Sequence, residues 1–414
     1  MSKPAALTSR INALAAELDP ELRALRRDIH AHPELARTEH RTSELVAARL
    51  EEAGLTVHRV AGTGLYCDID PAGTTDALQS RRLRRVALRA DMDALPLQET
   101  SGLDYASTVK GVTHACGHDA HTAVVLGAGL ILASLAAEGT LEIGVRLIFQ
   151  PAEELQPGGA LDLIEAGVLA GVDQIYAIHC DPKFDAGQVG TRIGPITSAS
   201  DTITVTLSST GGHTSRPHLT GDVVYALGLV ATVTPALLGR RLDPRSGVNL
   251  TWGSVRAGTA ANAIPSVGVL TGTLRCLDVR AWDRAEDLLR ELIDQVVAPT
   301  GVDVDLQIQR GVPPVDNDER CVRHMDDAAE TILGPDSVLL TEQSLGGEDF
   351  GWYLTRIPGS MARLGTRTPG GRTFDLHQAD LVIDESAIGV GARFLARVAV
   401  QAESQGIDRR TPTA

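Results

Sequence analysis

The sequence predicts an α/β protein in two parts, a three-layer α/β domain and a ferredoxin-like α+β domain inserted into it. Three observations lead there. The chain has 414 residues, more than a single core comfortably organises. Up to about residue 193, short apolar runs alternate with helical stretches, the pattern of a mainly parallel sheet. From about 194 to 311 the order becomes strand, helix, strand, strand, helix, strand, and from 312 the α/β pattern returns. The expected division is therefore 1–193 with 312–414, interrupted by 194–311.

Each element follows from its residues. Residues 20–54 read as two helices, with Leu22, Leu25 and Ile29 and then Leu45 and Leu50 at helical spacing. "VALRA" at 86–90, "IGVRLIF" at 143–149 and "QIYAIH" at 174–179 read as buried strands, with helices over 121–139 and 159–171 between them. In the inserted part, "DTITVTLSS", a helix over 220–238, "GVNLTWGSVRAG", "SVGVLTGTLRCLD", a helix over 280–298 and "VDVDLQIQRG" give the βαββαβ order of a split sandwich. A last helix spans 384–403, and "SQGIDRRTPTA" reads as a frayed tail.

Composition narrows the function classes. A formal net charge of −15 argues against non-specific nucleic-acid binding, and the one basic cluster, "RRLRR" at 81–85, reads as a solvated edge before a strand. The N-terminus lacks an apolar h-region and no apolar run reaches the ~18 residues of a membrane helix, so no membrane partner is expected. The five cysteines (Cys67, Cys116, Cys180, Cys276 and Cys321) are odd in number, scattered and without a CxxC pair. That argues against a disulfide framework and for a reducing, cytoplasmic setting.

Polar residues gather just beyond the predicted strand ends, where open α/β sheets form their ligand crevice. "ALRADMDALP" brings Asp91 and Asp93, "LIFQPAEE" brings Glu153 and Glu154, and "IYAIHCDP" brings His179. A lone strand-end acid is more often a helix cap than a ligand; three such clusters point to a site. "THACGHDAH", residues 113–121, adds Cys116 and His118, with Gly117 between them for a tight turn. The helix that starts there favours a thiolate. Thiolate, imidazole and carboxylate together suit zinc or manganese better than calcium or magnesium. His114 and His121 need not bind an ion, and Asp119 could cap the helix. The adjacent glutamates, read as an extended segment, would point in opposite directions, so that one can bind metal while the other faces substrate.

"RRDIHAHPEL", "LRADMDALPLQE", "HACGHDAHT", "FQPAEE", "GGHTSRPH", "GTAANAIP", "GTLR" and "GEDF" together resemble the dinuclear metallo-amidohydrolases that include hippurate hydrolases, auxin-conjugate hydrolases and N-acyl-amino-acid amidohydrolases, distant relatives of carboxypeptidase G and aminoacylase. The resemblance runs from about residue 20 to 400. It implies two divalent ions (manganese or zinc, with cobalt or nickel tolerated) held by Cys116, His118, Glu154, His179 and, from "DLHQAD", His377. In that scheme Cys116 bridges the ions, with Glu154 and His377 on one and His118 and His179 on the other. Glu153 becomes the general base and acid, and two ions ~3.5–4 Å apart can activate a shared water for attack on an amide carbonyl. Asp93 joins the catalytic set, and His213 supplies an oxyanion donor from a partner chain. Asn262 and Arg275, in the inserted domain, become candidates for binding substrate, which would be a small N-acyl amino acid. The inserted domain itself becomes a lid that pairs two chains into a homodimer. Thr113, Gly347 and Cys180 depart from the common pattern without removing a ligand.

Rival readings are a thiol hydrolase with Cys116 as nucleophile and a silent binding protein on the same fold. Within the enzyme class, the alternatives are a dipeptidase or a deacylase of a biosynthetic intermediate.

Overall fold

The computed structural model describes residues 3–74, 77–80 and 83–404. Arg81 and Arg82 of the basic cluster, and the tail from 405 onward, lie outside the described residues. In chain order the principal elements begin with α1 (Lys3–Ala31), α2 (His40–Glu52), β1 (Val57–Val60), β2 (Gly64–Ile69), β3 (Arg85–Asp91) and α3 (His118–Ala137). They continue with β4 (Gly144–Gln150), α4 (Ala160–Glu165), β5 (Gln174–Asp185), β6 (Val189–Thr191), β7 (Ala199–Ser208), β8 (Gly212–His213) and α5 (Val223–Arg241). β9 (Asn249–Ala257), β10 (Ala263–Ile264), β11 (Val267–Cys276), α6 (Val279–Val297) and β12 (Asp303–Val312) follow. The chain closes with α7 (Glu319–Leu333), β13 (Val338–Leu340), β14 (Gly359–Arg367) and α8 (Ser386–Ser404).

The contacts divide the chain into two compact units. One comprises Met1–Gly194, Asn317–Glu342 and Trp352–Ala414; the other comprises Pro195–Asp316 and Gln343–Gly351. The loop Gln343–Gly351 thus joins the second unit, although its position in the chain suggests the first. Backbone bonds hold it there, from Ser344 N to Ile196 O (2.8 Å) and from Ser198 N to Gly346 O (3.2 Å).

The first unit is built on an eight-stranded sheet in the order β1-β2-β4-β3-β5-β14-β6-β13. Its centre is parallel, β4 to β3, β3 to β5 and β5 to β14, and the middle strands β3 and β4 are buried along their whole length. β1 and β2 are antiparallel additions at one edge, beside β4. β1 alone has exposed residues at its centre, and this short polar strand escapes a search for apolar runs. Residues from α1, α2, α3, α7 and α8 share one core with the sheet. Strand side chains alternate between faces, so Leu88, Tyr176 and Ile178 join that core while Arg89, Asp91 and His179 point to the other side.

Two expectations are corrected. The first helix begins at Lys3 rather than near 20 and carries Pro20 inside it; the buried positions Ile11, Leu14, Ala15, Leu22 and Ile29 keep one apolar stripe through the proline. Among the described residues two helices, α3 and α5, are by length and composition apolar enough to cross a membrane. In α3 the reason is local: 78% of its most apolar window is buried inside the unit, and a helix buried all round must be apolar all round.

The second unit holds an antiparallel four-stranded sheet in the order β9-β11-β7-β12. Numbered within the unit, that is 2-3-1-4, the ferredoxin-like arrangement. α5 and α6 cover one face, each started by an aspartate accepting a backbone N–H: Asp222 from Tyr225 and Asp278 from Ala281.

Candidate metal centre

Chain geometry at the start of α3 sets two donors close together. Gly117 adopts φ +91°, and a Cβ there would come within 2.9 Å of Cys180 Sγ. Only glycine satisfies both conditions, so the turn presents Cys116 and His118 into the same space. The Nδ1–H of His118 donates to the carbonyl of Asp93 (2.8 Å), and the Nδ1–H of His179 donates to the carbonyl of Cys180 (2.8 Å). A carbonyl can only accept, so in both rings Nδ1 carries a proton and Nε2 is left facing inward, the nitrogen that an ion would bind on the neutral ring. His179 Nε2 lies 3.5 Å from Cys116 Sγ.

Two groups of candidate donors share Cys116: Cys116, His118 and His179 form one, and Cys116, Glu154 and His377 the other, with all ligand atoms of each group within 4.8 Å of one another. Glu154 Oε1 stands 3.3 Å from His377 Nε2 and 4.0 Å from His118 Nε2, and Glu153 Oε2 stands 3.9 Å from the same His118 nitrogen. His377 reaches the group from a backbone at φ +62°, its N–H bonded to Ala115 O at 2.7 Å. The described residues fit metal ions on independent grounds. His118 Nε2 and Glu154 Oε1 are buried with no hydrogen-bond partner, an arrangement that costs ~1–3 kcal/mol per group unless something binds there. Burial pushes the Cys116 thiol well above its usual range, although His118 pulls the other way. For His118, burial opposes the charged form, but Asp91 and Cys116 hold its pKa well above the usual value. Asp91 and Cys116 thus favour positive charge at His118, whereas burial and Arg363 hold the pKa of His179 well below its usual value, and a cation bound beside Cys116 would favour the thiolate.

Surrounding side chains fix the donors. The carboxylate of Asp93 accepts the backbone N–H of Glu153 on Oδ1 and that of Glu154 on Oδ2, each at 3.0 Å. Both glutamates lie in a turn, not on an extended segment as expected. Ala152 enters that turn at φ +57°, and the two N–H groups converge on one carboxylate. Asp91 accepts from His121 Nδ1 (2.6 Å) and Arg89 Nη1 (2.6 Å), while His121 Nε2 accepts from Cys180 N (2.8 Å). His121 is thereby spent on hydrogen bonds. Asp119 does not cap α3: it is wholly buried and pairs with Arg26 (2.6 Å) and His30 (2.8 Å), which hold it well below the usual carboxylate range against the opposing effect of burial. Arg26 and His30 come from "RRDIH", four apart and so on one helical face, a signal that sequence reasoning left unused. His114 is buried with both ring nitrogens unpartnered. Burial pushes its pKa down to about 3.

In the second unit, His213 and Asn262 lie side by side. β8 pairs with β10 so that His213 faces Ala263, and Thr214 N bonds to Asn262 O at 3.2 Å; both residues are exposed. Arg275 directs Nη1 at the carbonyl of Leu345 in the loop Gln343–Gly351.

A model of peptidase family M20/M25/M40 matches residues 87–401. A Rhodococcus jostii protein described as a putative glutamate–cysteine ligase is 47% identical over 371 residues, 89% of this chain, and this chain spans only 45% of that relative's length. A Bacillus subtilis N-acetyl-L-cysteine deacetylase is 35% identical over 379 residues, covering 91% of this chain and 87% of the relative. Among solved structures, a B. subtilis protein described as a dinuclear metal-binding peptidase of the M20 family aligns with a TM-score of 0.79 and 31% identity, over 93% of this chain and 98% of the other.

Proposed function

Because the chain belongs to peptidase family M20/M25/M40, a family of amide hydrolases, we propose that it hydrolyses N-acyl amino acids, releasing a carboxylic acid and a free amino acid. The observation that carries this reading is the pair of donor groups meeting at Cys116, with Glu153 beside them. Two divalent ions, manganese or zinc, would be held by Cys116, His118, Glu154, His179 and His377, Cys116 serving both. When bound they supply Lewis-acid charge for the carbonyl and acidify a water. The chain's own residues do the rest. Glu153 takes the water's proton as it attacks and returns it to the leaving nitrogen. Asp93 holds Glu153 and Glu154 in register through their backbone N–H groups. His213 donates to the developing oxyanion of a partner chain's site, and Asn262 beside it binds substrate. Arg275 matches a substrate carboxylate by charge and planar geometry.

The homodimer this requires, and a cytoplasmic setting, belong to the same proposal. The latter is supported by five cysteines that are all free and buried. A relative named for N-acetylcysteine deacetylation makes that compound the first substrate to try.

Protein stripped of metal and reloaded with manganese, zinc, cobalt or nickel would be offered N-acetyl, N-benzoyl and long-chain N-acyl amino acids beside plain dipeptides. The expected result is hydrolysis of N-acyl amino acids that tracks two bound ions per chain. Activity surviving complete removal of metal would favour Cys116 as a nucleophile instead, and cleavage of dipeptides alone would favour the peptidase reading.

A further inference from the structure

We infer that Ser215 is a positioning residue, fixing which nitrogen of His213 carries the proton and which way the ring faces. The inference rests on the proposed role of His213 as oxyanion donor.

The geometry is local and specific. His213 Nδ1 is approached by the backbone N–H of Ser215 at 3.1 Å and by the Ser215 hydroxyl at 2.8 Å. A backbone N–H can only donate, so Nδ1 must accept and carries no proton. The hydroxyl, able to play either part, must then donate to the same lone pair. The ring proton is thereby placed on Nε2, the nitrogen turned away from the Ser215 bonds. Both His213 and Ser215 are exposed, so burial does not hold the ring. The backbone under it is pinned on both sides: β8 pairs with β10, and Arg216 N bonds to His213 O at 2.9 Å. With the main chain fixed, the remaining freedom is rotation of the imidazole, and a half-turn would exchange the two edges of the ring. The two donors on Nδ1 oppose that half-turn, because the flipped ring offers them a carbon.

An oxyanion donor needs its proton on a known atom at a known place before the charge develops. A surface histidine without such a lock samples two tautomers and two ring orientations, and most of them present no N–H to the substrate. Ser215 removes that ambiguity without touching substrate itself. The signature of such a role is a loss in kcat at nearly constant KM, since the missing interaction belongs to the transition state.

The test uses the zinc-loaded, full-length protein with 15N-labelled histidine, the His213 signals being identified by their disappearance in His213→Ala. Wild type should show His213 as the Nε2–H form. Ser215→Ala keeps the backbone donor and removes the hydroxyl; the Nδ1–H form should then rise about fivefold, the effect of losing one ordinary hydrogen bond. In the same variant kcat should fall, by no more than about that fivefold shift, with KM within twofold of wild type, and Ser215→Thr, which restores a hydroxyl, should recover both readings. An Nδ1–H ring in wild type, or ring signals unchanged in Ser215→Ala, overturns the inference. If the signals shift as expected while His213→Ala turns over at the wild-type rate, the lock exists but the catalytic reading beneath it fails, and Ser215 has no part in the reaction.

Discussion

Asp93→Asn removes one oxygen from a carboxylate that has both in use. In the native protein Oδ1 and Oδ2 each accept a backbone N–H at 3.0 Å, from Glu153 and Glu154, and Oδ1 also lies 3.4 Å from His118 Nδ1. The residue is almost wholly buried, so water cannot step in. Asparagine can satisfy one of the two N–H groups through its oxygen, but its amide then turns two hydrogens toward the other. A buried donor left without an acceptor costs ~1–3 kcal/mol. Taking ~2 kcal/mol, the turn carrying both glutamates leaves its native position by a factor of about 30. Turnover should fall by a similar factor, since misplacing catalytic groups by about 1 Å can cost 10²-fold. The assay is kcat/KM with a reactive N-acyl amino acid, beside metal content and a pH–rate profile. In the proposed scheme Asp93 positions the base and is not the base, so the acid limb of that profile should stay where it is. Wild-type turnover with full metal loading would refute the argument, and a displaced acid limb would give Asp93 a direct role in proton transfer.

Other perturbations separate the neighbouring roles. Glu153→Gln should retain both ions yet lose several orders of magnitude in kcat, whereas Glu154→Gln should lower metal content measured by atomic emission; loss of metal from the first variant would reverse the assignment. Mixed dimers of His213→Ala and Glu153→Gln chains should recover up to half the wild-type activity per dimer, because one of the two sites is then intact; mixed dimers that form and stay inactive exclude action across the interface. Glu99 is opposed by burial, but His30, Ser101 and the N–H of Ser107 lower its pKa to about 2. A depressed carboxylate contributes stability that is present above its unfolded value near 4.5 and lost as pH falls toward 2. Urea unfolding of metal-free protein between pH 5 and 3 should therefore be less steep in pH for Glu99→Gln, by at most ~1.4 kcal/mol per unit and less after solvent screening; equal slopes would remove Glu99 from the account.

How much of this was legible in the sequence depended on the range of the forces involved. The strands β3, β4 and β5 are continuous apolar runs because both faces are covered, and such runs stand out in any reading. The inserted unit shows itself by element order alone. Gly117 announces a tight turn, and the steric reason, Cys180 packed against it, needs the fold. Asp119 illustrates the opposite case. Beside a helix start, an aspartate reads as a cap, and nothing local reveals that Arg26, 93 positions earlier, will pair with it. The turn at Glu153 and Glu154 was misread for the same reason: its shape is imposed by Asp93, 60 residues away. The polar edge strand β1 was missed because it presents no apolar run, and the long first helix because Pro20 resembles a start when the stripe beyond it is ignored.

The bond from His377 N–H to Ala115 O has a consequence for the protein's synthesis. Cys116 and His118 leave the ribosome early, and His179 soon after, but the last donor arrives only when most of the chain has been made. Until then the early donors form an incomplete set. With the donors assigned as proposed, a growing chain would hold at most one ion in its thiolate–imidazole group, and the second group would close only when His377 docks beside Ala115. If the proposed two-ion site is the hydrolytic one, competence would be withheld from every nascent form, and acquisition of the second ion would mark the moment at which the two ends of the first unit have met.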